Sequence, residues 1–292
     1  MPYIFLLCAI VTSAGLAIAG TLFNRKIHHA EGLGGLYNAI AACSNFLAWL
    51  IIFCTDPSFE IKVIPYSLLY GVGYAVFLIG LNGALQSGSS ALSGFVKQIA
   101  FVLVAIWGFL FWNSAPELTL IAGIVLIAIA LFLCLVPIGK NAPKGTVRIT
   151  GKWQLYALMI LVGNAGCSII QKTQQMHFAG QHGKLLMLVA TCVAAICCML
   201  MSIRSDKTNW ARAFRRYWYY PVIAGASSCA FNFFVILLAS TWLSPSLIYP
   251  AIAIGGLILT TLVSVVTCKE KLTSSQWVGL TVGAVALVFL NL

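Results

Sequence analysis

Ten apolar runs follow one another along this chain, and each is about long enough to cross a lipid bilayer. A helix needs roughly 20 apolar residues to span the hydrocarbon core, because each residue rises about 1.5 Å. Breaks at proline, glycine, asparagine and charged residues separate the runs at 3–23, 33–54, 64–85, 88–112, 117–137, 153–175, 184–203, 220–241, 244–268 and 272–292. The pattern predicts an all-α polytopic membrane protein with ten transmembrane helices.

The composition agrees with this fold class. Apolar residues make up 61% of the chain and charged residues only 8%, whereas soluble domains average about 45–50% and about 25%. The net charge of +11 would suggest a nucleic-acid partner in a soluble protein. Here the basic residues lie between the apolar runs, so we expect no nucleic acid and interpret them as determinants of membrane topology.

The two halves of the chain resemble each other. Residues 1–137 contain the first five runs, 138–152 form a polar linker, and 153–292 contain the last five. Matching pairs are Ala14-Gly15 with Ala165-Gly166, Gly71 with Gly225, Phe77 with Phe231, and Leu118-Thr119 with Leu272-Thr273. Because five spans is an odd number, the second repeat enters the membrane inverted. In inverted-repeat folds a substrate site lies near the midplane between the halves, which favours a transporter.

The distribution of lysine and arginine predicts the orientation. If the connections alternate between the two sides, one side carries only Lys62, Lys172 and Lys184. The other carries thirteen basic residues: Arg25, Lys26, Lys140, Lys144, Arg148, Lys152, Arg204, Lys207, Arg212, Arg215, Arg216, Lys269 and Lys271. The positive-inside rule therefore predicts that both termini lie outside the cytoplasm. The expected location is the cell membrane, inner or plasma. The stretch 209–220, NWARAFRRYWYY, is expected to lie at the interface on anionic cytoplasmic lipid.

Two corresponding helix entrances carry a capping box, Ser114-Ala-Pro-Glu117 and Thr273-Ser-Ser-Gln276. Glu117 is thus interpreted as a cap and not as a catalytic acid. The segments around them, FWNSAPELTLIAGIVLIAIALFL and VTCKEKLTSSQWVGLTVGAVALVFL, resemble the repeated turn of the drug/metabolite transporter (DMT) superfamily in its EamA-type branch. The resemblance covers the whole chain. It implies a central cavity lined by the first, third and fourth spans of each repeat, and it favours export. One departure is that the first span has no glutamate, which the small four-span multidrug relatives carry.

Lys97 lies near the middle of the apolar stretch Ser87–Trp112. A cation is costly in lipid, so Lys97 must face protein or a water-filled cavity. It shares a helix face with Ser90, Ser93 and Gly94, whose small side chains would let a ligand or a helix approach. We interpret Lys97 as a ligand for a substrate carboxylate or phosphate. The alternative is a lysine that snorkels or is satisfied by backbone carbonyls.

All six carboxylates lie in loops or at span ends, which argues against a glutamate-based cation/proton exchanger. The candidate partners of Lys97 are Gln98, Tyr74, Asn82, Gln86, Asn164, Gln171, Asn232 and Tyr249. Taken singly, the amides among them are more typical of bridges between helices than of substrate contacts, and Asn38 and Asn45 are interpreted as packing contacts. His177 and His182 lack further ligands, so no metal site is expected, and no cofactor is predicted.

The sequence thus predicts a small-molecule transporter that works by alternating access, and not an enzyme, because paired acid–base or nucleophilic groups at membrane depth are missing. The expected substrate is an anionic or zwitterionic metabolite such as an amino acid. Two alternatives remain open: efflux of neutral or cationic aromatic compounds, and a non-transporting subunit of a lipid flippase complex. The expected partners are the substrate and the bilayer. A monomer contains both halves and would suffice, and a dimer is compatible with the pattern.

Overall fold

The computed structural model describes residues 2–26, 33–112, 118–135, 150–178, 181–203, 210–239, 245–266, 269 and 272–289. Nearly all of these residues lie in helices. In chain order the helices are α1 Pro2–Lys26, α2 Leu33–Thr55, α3 Ile64–Ser87, α4 Ser90–Phe111, α5 Leu118–Leu135, α6 Gly151–His177, α7 Gly183–Ile203, α8 Trp210–Tyr217, α9 Tyr219–Ala239, α10 Pro245–Val266 and α11 Ser274–Phe289. A 3₁₀ turn, Ile61–Val63, leads into α3.

A helix lies over each of the ten apolar runs, and α8 lies in a stretch that the sequence indicated only as a connection at the interface. Six helical segments in the described part of the chain are long and apolar enough to cross a membrane: Pro2–Lys26, Leu33–Thr55, Ile61–Ser87, Gly151–His177, Gly183–Ile203 and Tyr219–Leu238. Their outer faces carry exposed large apolar side chains such as Leu7, Ile51 and Leu158. The chain is therefore a helical membrane protein, in which lipid covers those faces.

Polar side chains mark where several helices begin. The Ser89 hydroxyl accepts a hydrogen bond from the Leu92 backbone N–H, which starts α4 directly after Gly88. At α11, the Gln276 backbone N–H donates to Thr273 Oγ1 while the Thr273 N–H donates to Gln276 Oε1, at 3.3 and 2.9 Å. This confirms the predicted capping box. Its counterpart at Ser114–Glu117 lies outside the described residues.

The helices pair mainly between the two halves of the chain. The closest pairs are α3 with α6, α1 with α9, α2 with α7, and α5 with α11. Around them, α3 packs on α7 while α2 packs on α9, and α1 packs on α10 while α4 packs on α6. Exchanging the halves replaces the helices α1 to α5 by α6, α7, α9, α10 and α11, in that order. Each of these contacts then maps onto another of them or onto itself. The helices of the two halves are therefore interleaved.

Two glycines let the helices of the two halves approach closely. A Cβ atom at Gly71 of α3 would lie 2.6 Å from both the Ala190 carbonyl oxygen and Val193 Cβ of α7. A Cβ atom at Gly225 of α9 would clash with the Ala41 carbonyl oxygen of α2. Only glycine is accommodated at either crossing, and the two glycines are a pair that the sequence comparison matched.

Candidate functional site

Lys97 lies in the third turn of α4, closer to the start of the helix than the sequence suggested, because α4 begins only at Ser90. Its side chain is half-buried and crosses to α1, where Nζ donates a hydrogen bond of 2.8 Å to the Ser13 carbonyl oxygen. Ser13 is the twelfth of the 25 residues in α1. The ammonium group therefore lies at mid-height of a helix long enough to span a membrane.

Helices α6 and α10 pack beside this lysine, and α6 contributes a polar side chain. Asn164 Nδ2 of α6 donates to the Lys97 carbonyl oxygen at 2.9 Å. Gln98 is buried, and a Cβ atom at Gly256 of α10 would lie 3.1 Å from Gln98 Nε2 and 2.7 Å from Ser13 Oγ. Ser13, Lys97, Gln98 and Asn164 are called the central polar cluster below. Because Gly256 has no side chain, α10 can pack closely against the central polar cluster.

The electrostatics of this cluster favour an anion. No helix of the described chain contains an aspartate or a glutamate. The ammonium contacts the Ser13 carbonyl oxygen and the Phe231 ring, whose centroid lies 5.9 Å away. Both groups offer only partial negative charge. An ammonium in a low-dielectric interior gains most from a full negative charge, so the arrangement can bind a carboxylate or phosphate.

The small residues that share the Lys97 face contact neighbouring helices. Ser93 Oγ accepts a hydrogen bond from Trp153 Nε1 of α6 at 3.2 Å. A Cβ atom at Gly94 would lie 2.8 Å from Thr260 Oγ1 of α10. This part of the face therefore positions α4 between α6 and α10, which fixes the direction in which Lys97 points.

Tyr74 belongs to a second buried group. Its hydroxyl accepts a hydrogen bond from Asn45 Nδ2 of α2 at 3.0 Å and shares another, of 2.7 Å, with Ser228 Oγ of α9. Asn45, Tyr74 and Ser228 are called the tyrosine cluster below. The sequence indicated Asn45 only as packing and missed Ser228. A usable signal existed, because Ser228 follows Tyr74 by 154 residues, the spacing that also separates Gly71 from Gly225.

Asn82 and Gln86 lie near the end of α3 and contact the end of α1. Asn24 Nδ2 donates to Asn82 Oδ1 at 2.9 Å, Asn82 Nδ2 donates to the Gly34 carbonyl at 3.1 Å, and Gln86 Nε2 donates to Asn24 Oδ1 at 3.2 Å. These amides tie α1, α2 and α3 together at one end of the bundle. They lie apart from the central polar cluster.

Three candidate residues from the sequence remain: Asn232, Gln171 and Tyr249. Asn232 Nδ2 donates to the Ser228 carbonyl of its own helix at 2.9 Å, next to the tyrosine cluster. Gln171 is half-buried on α6, two turns beyond Asn164. The side chain of Tyr249 lies outside the described residues.

At the other end of the bundle, the turn before α3 is held to the turn before α7. Lys184 Nζ forms an ion pair of 2.8 Å with Asp56 Oδ2, and His182 Nδ1 lies 3.3 Å from Ser58 Oγ. His177 Nδ1 lies 2.7 Å from the Tyr66 hydroxyl. We call these three contacts the end clasp. The hydrogen bond and charge of Lys184 hold the pKa of Asp56 below its ordinary value, so this carboxylate stays ionised near neutral pH.

The structure thus defines a class of protein: a helical membrane protein with a half-buried lysine and neighbouring amides between its helices. No family model and no curated protein sequence matches the chain. Solved structures do match its fold. One, described only as a crystal structure of a protein, is 14% identical, and the similarity covers 98% of this chain and 94% of that one with a TM-score of 0.64. At this identity the likeness concerns the fold alone.

Proposed function

We propose that this chain is a ten-span member of the DMT superfamily, of the EamA type. In this proposal it exports an anionic or zwitterionic metabolite, such as an amino acid, by alternating access. Lys97 binds the negatively charged group of the substrate, and Asn164 and Gln98 position the lysine. The observation that carries the proposal is the Lys97 ammonium at mid-height of α1, among described helices that contain no carboxylate.

The helix pairing supports two inverted five-helix repeats. Exchanging the halves maps the α3–α6 contact onto α9–α1, and the α3–α7 contact onto α9–α2. The matched glycines, Gly71 and Gly225, occupy these latter two crossings. In an inverted repeat a substrate site is expected near the midplane, and Ser13, which accepts the hydrogen bond from Lys97, lies at mid-height of α1.

The end clasp supports a transport cycle. Its three polar contacts join segments from different halves of the chain at one end of the bundle. The ion pair is largely exposed, and solvent and salt screen exposed pairs so that they stabilise a fold only weakly. Such contacts can break within a transport cycle, and we propose that they open when the substrate site faces that end.

Counterflow in proteoliposomes tests this function. Liposomes are loaded with one unlabelled compound, and uptake of the same labelled compound is measured for alanine, phenylalanine, succinate and tetraphenylphosphonium. Counterflow requires no knowledge of a coupling ion. We expect uptake of at least one carboxylate by the wild type and its loss in Lys97→Met.

The matched control is Lys172→Met, since Lys172 also lies in a helix with its ammonium near an aromatic ring, 5.1 Å from the Trp112 ring. It lies near the end of α6 and should retain uptake. Counterflow of tetraphenylphosphonium alone would contradict the proposal and favour efflux of cations.

A further inference from the structure

A gap between the helices reaches Lys97. Every other residue from position 91 to position 100 is buried, and over nearly three turns these residues cover all sides of α4. This part of α4 is therefore enclosed by neighbouring helices and does not face lipid. Lys97 is half-buried, so the surface that it exposes lies inside the bundle. A small molecule in this gap can contact the lysine.

The gap continues along α9. The buried stripe of that helix includes Gly225 and Ser228, and at helical spacing it would continue at Phe231 and Val235. These two residues are only half-buried, so the inward face of α9 is accessible from Phe231 onward. The Phe231 ring centroid lies 5.9 Å from Lys97 Nζ. The accessible surfaces of the two residues therefore belong to the same gap.

The gap extends in one direction from Lys97. A Cβ atom at Gly15 of α1 would lie 2.5 Å from Ser227 Oγ of α9, so the two helices touch at that level. Toward the start of α1, Phe5 and Phe234 of α9 stack with their ring centroids 6.3 Å apart. The distance along α1 from Phe5 to Gly15 is about 15 Å. This length is sufficient for a small carboxylate that carries an aromatic ring.

The side of the gap beyond Phe231 is apolar. One hydrophobic cluster joins buried residues of α1, α9 and α10 to Phe5, Ile10, Phe231, Phe234 and Val235. Polar side chains of the same stretch bond to their own helices: Thr12 Oγ1 donates to the Cys8 carbonyl, and Asn232 Nδ2 donates to the Ser228 carbonyl. A ligand that lies on this cluster is therefore expected to present hydrocarbon to it.

Lys97 is the only charged residue that the described helices place beside this cluster. Helices α9 and α10 contain no charged residue, and neither does α1 before Arg25. A second charge on a ligand would have no countercharge here, and burying an unpaired charge is costly. The ammonium group of an α-amino acid would also lie beside the Lys97 ammonium, because only two bonds separate it from the carboxylate carbon. Like charges at that separation repel each other.

We propose that the site at Lys97 selects monocarboxylates whose remainder is hydrocarbon, such as arylalkyl carboxylates, over amino acids and dicarboxylates. The carboxylate replaces the Ser13 carbonyl as the partner of Lys97, and the hydrocarbon part lies on Phe231 and Ile10. This inference rests on the proposed function and narrows its substrates to the anionic class.

Isothermal titration calorimetry of the purified full-length protein with four compounds tests the selection. Relative to 3-phenylpropionate, propionate lacks the ring, phenylalanine adds an ammonium group and benzylsuccinate adds a second carboxylate. We expect 3-phenylpropionate to bind about 10- to 100-fold more tightly than propionate, which is the factor for burying a side chain of this size. Phenylalanine and benzylsuccinate should each bind at least about tenfold more weakly than 3-phenylpropionate.

Phe231→Ala tests where the ring lies. It should lower the ratio of the affinities for 3-phenylpropionate and propionate severalfold, because the ring loses an apolar contact. Phe233→Ala is the matched control, since Phe233 lies on the same helix but packs against the main hydrophobic core. It should leave this ratio unchanged. The ratio is taken within one variant, so a general loss of stability does not mimic the effect.

The possible failures can be told apart. If phenylalanine or benzylsuccinate binds as tightly as 3-phenylpropionate, the selection is overturned while anion binding at Lys97 stands. Equal affinities for propionate and 3-phenylpropionate, or an equal fall of the ratio in the Phe231 and Phe233 variants, would remove the apolar cluster from the site. If none of the four compounds binds, both this inference and the proposed function are contradicted.

Discussion

The Lys97 ammonium lies 2.8 Å from the Ser13 carbonyl oxygen and thereby joins α4 to the midpoint of α1. That carbonyl already lies within the continuous hydrogen-bond ladder of α1. The lysine donates to the second lone pair of this carbonyl oxygen, so the contact can break without leaving the oxygen unpaired. A substrate anion can replace the carbonyl as the partner of the ammonium, which is what the proposed transport function requires.

Tyr74→Phe removes both hydrogen bonds of the tyrosine cluster. It leaves Ser228 Oγ and Asn45 Nδ2 without these partners between α3, α9 and α2. Hydrogen bonds between helices in membranes average about 0.6 kcal/mol, with a maximum near 1.7. We expect a loss of about 1–2 kcal/mol, measured as a lower midpoint of thermal unfolding in detergent.

Tyr66→Phe is the control for this variant, because it removes an exposed hydroxyl bonded to His177. We expect a smaller shift. If the two variants lose the same stability, the tyrosine cluster is not a special link between the halves.

Gly71→Ala and Gly225→Ala should each destabilise the protein. The added methyl group would overlap the Ala190 carbonyl region in one case and the Ala41 carbonyl in the other. Forcing apart a packed helix pair costs about 1–3 kcal/mol. The measurement is the yield of each variant that elutes as a single symmetric peak in size-exclusion chromatography.

Gly166→Ala is the matched control, since nothing lies within 4 Å of its added Cβ. Alanine should there be neutral or stabilising by about 0.5–1 kcal/mol. A tolerated Gly225→Ala would contradict the reciprocal crossing of α9 and α2.

The Asp56–Lys184 ion pair should contribute stability in a pH-dependent way. Lys184 lowers the pKa of the Asp56 carboxyl relative to the unfolded chain. The contribution is therefore present above the unfolded pKa of about 3.9 and is lost as the pH falls through the lower folded value. We expect the difference in unfolding temperature between the wild type and Asp56→Asn to be constant from pH 8 to pH 5 and to vanish in stronger acid. A difference that changes between pH 8 and pH 6 would contradict this assignment to Asp56.

The positions of the helices could be predicted because apolar runs and their breaks are local properties. Each run coincides with a helix, and the capping box at Thr273–Gln276 forms as its four residues predict. The start of α4 differs from the sequence prediction: Gly88 and the cap at Ser89 delay the helix to Ser90, which moves Lys97 toward its beginning.

The partners of the polar residues could not be predicted in the same way. Lys97 binds a backbone carbonyl, and every residue carries one, so no residue type marks Ser13 as the acceptor. Asn82 binds Asn24 and Gly34, which the sequence places 58 and 48 residues away. Asparagine at membrane depth signals that a partner exists, but the crossing of two helices decides which one.

Thermal unfolding of the purified protein against carboxylates, phosphates, neutral metabolites and organic cations tests the role of Lys97 most directly. A ligand at 100 times its dissociation constant stabilises the folded state by about 2.7 kcal/mol. We predict stabilisation only by compounds with a carboxylate or phosphate, lost in Lys97→Met and kept in Lys172→Met. Stabilisation by organic cations, or carboxylate stabilisation that survives in Lys97→Met, would contradict an anion site at Lys97.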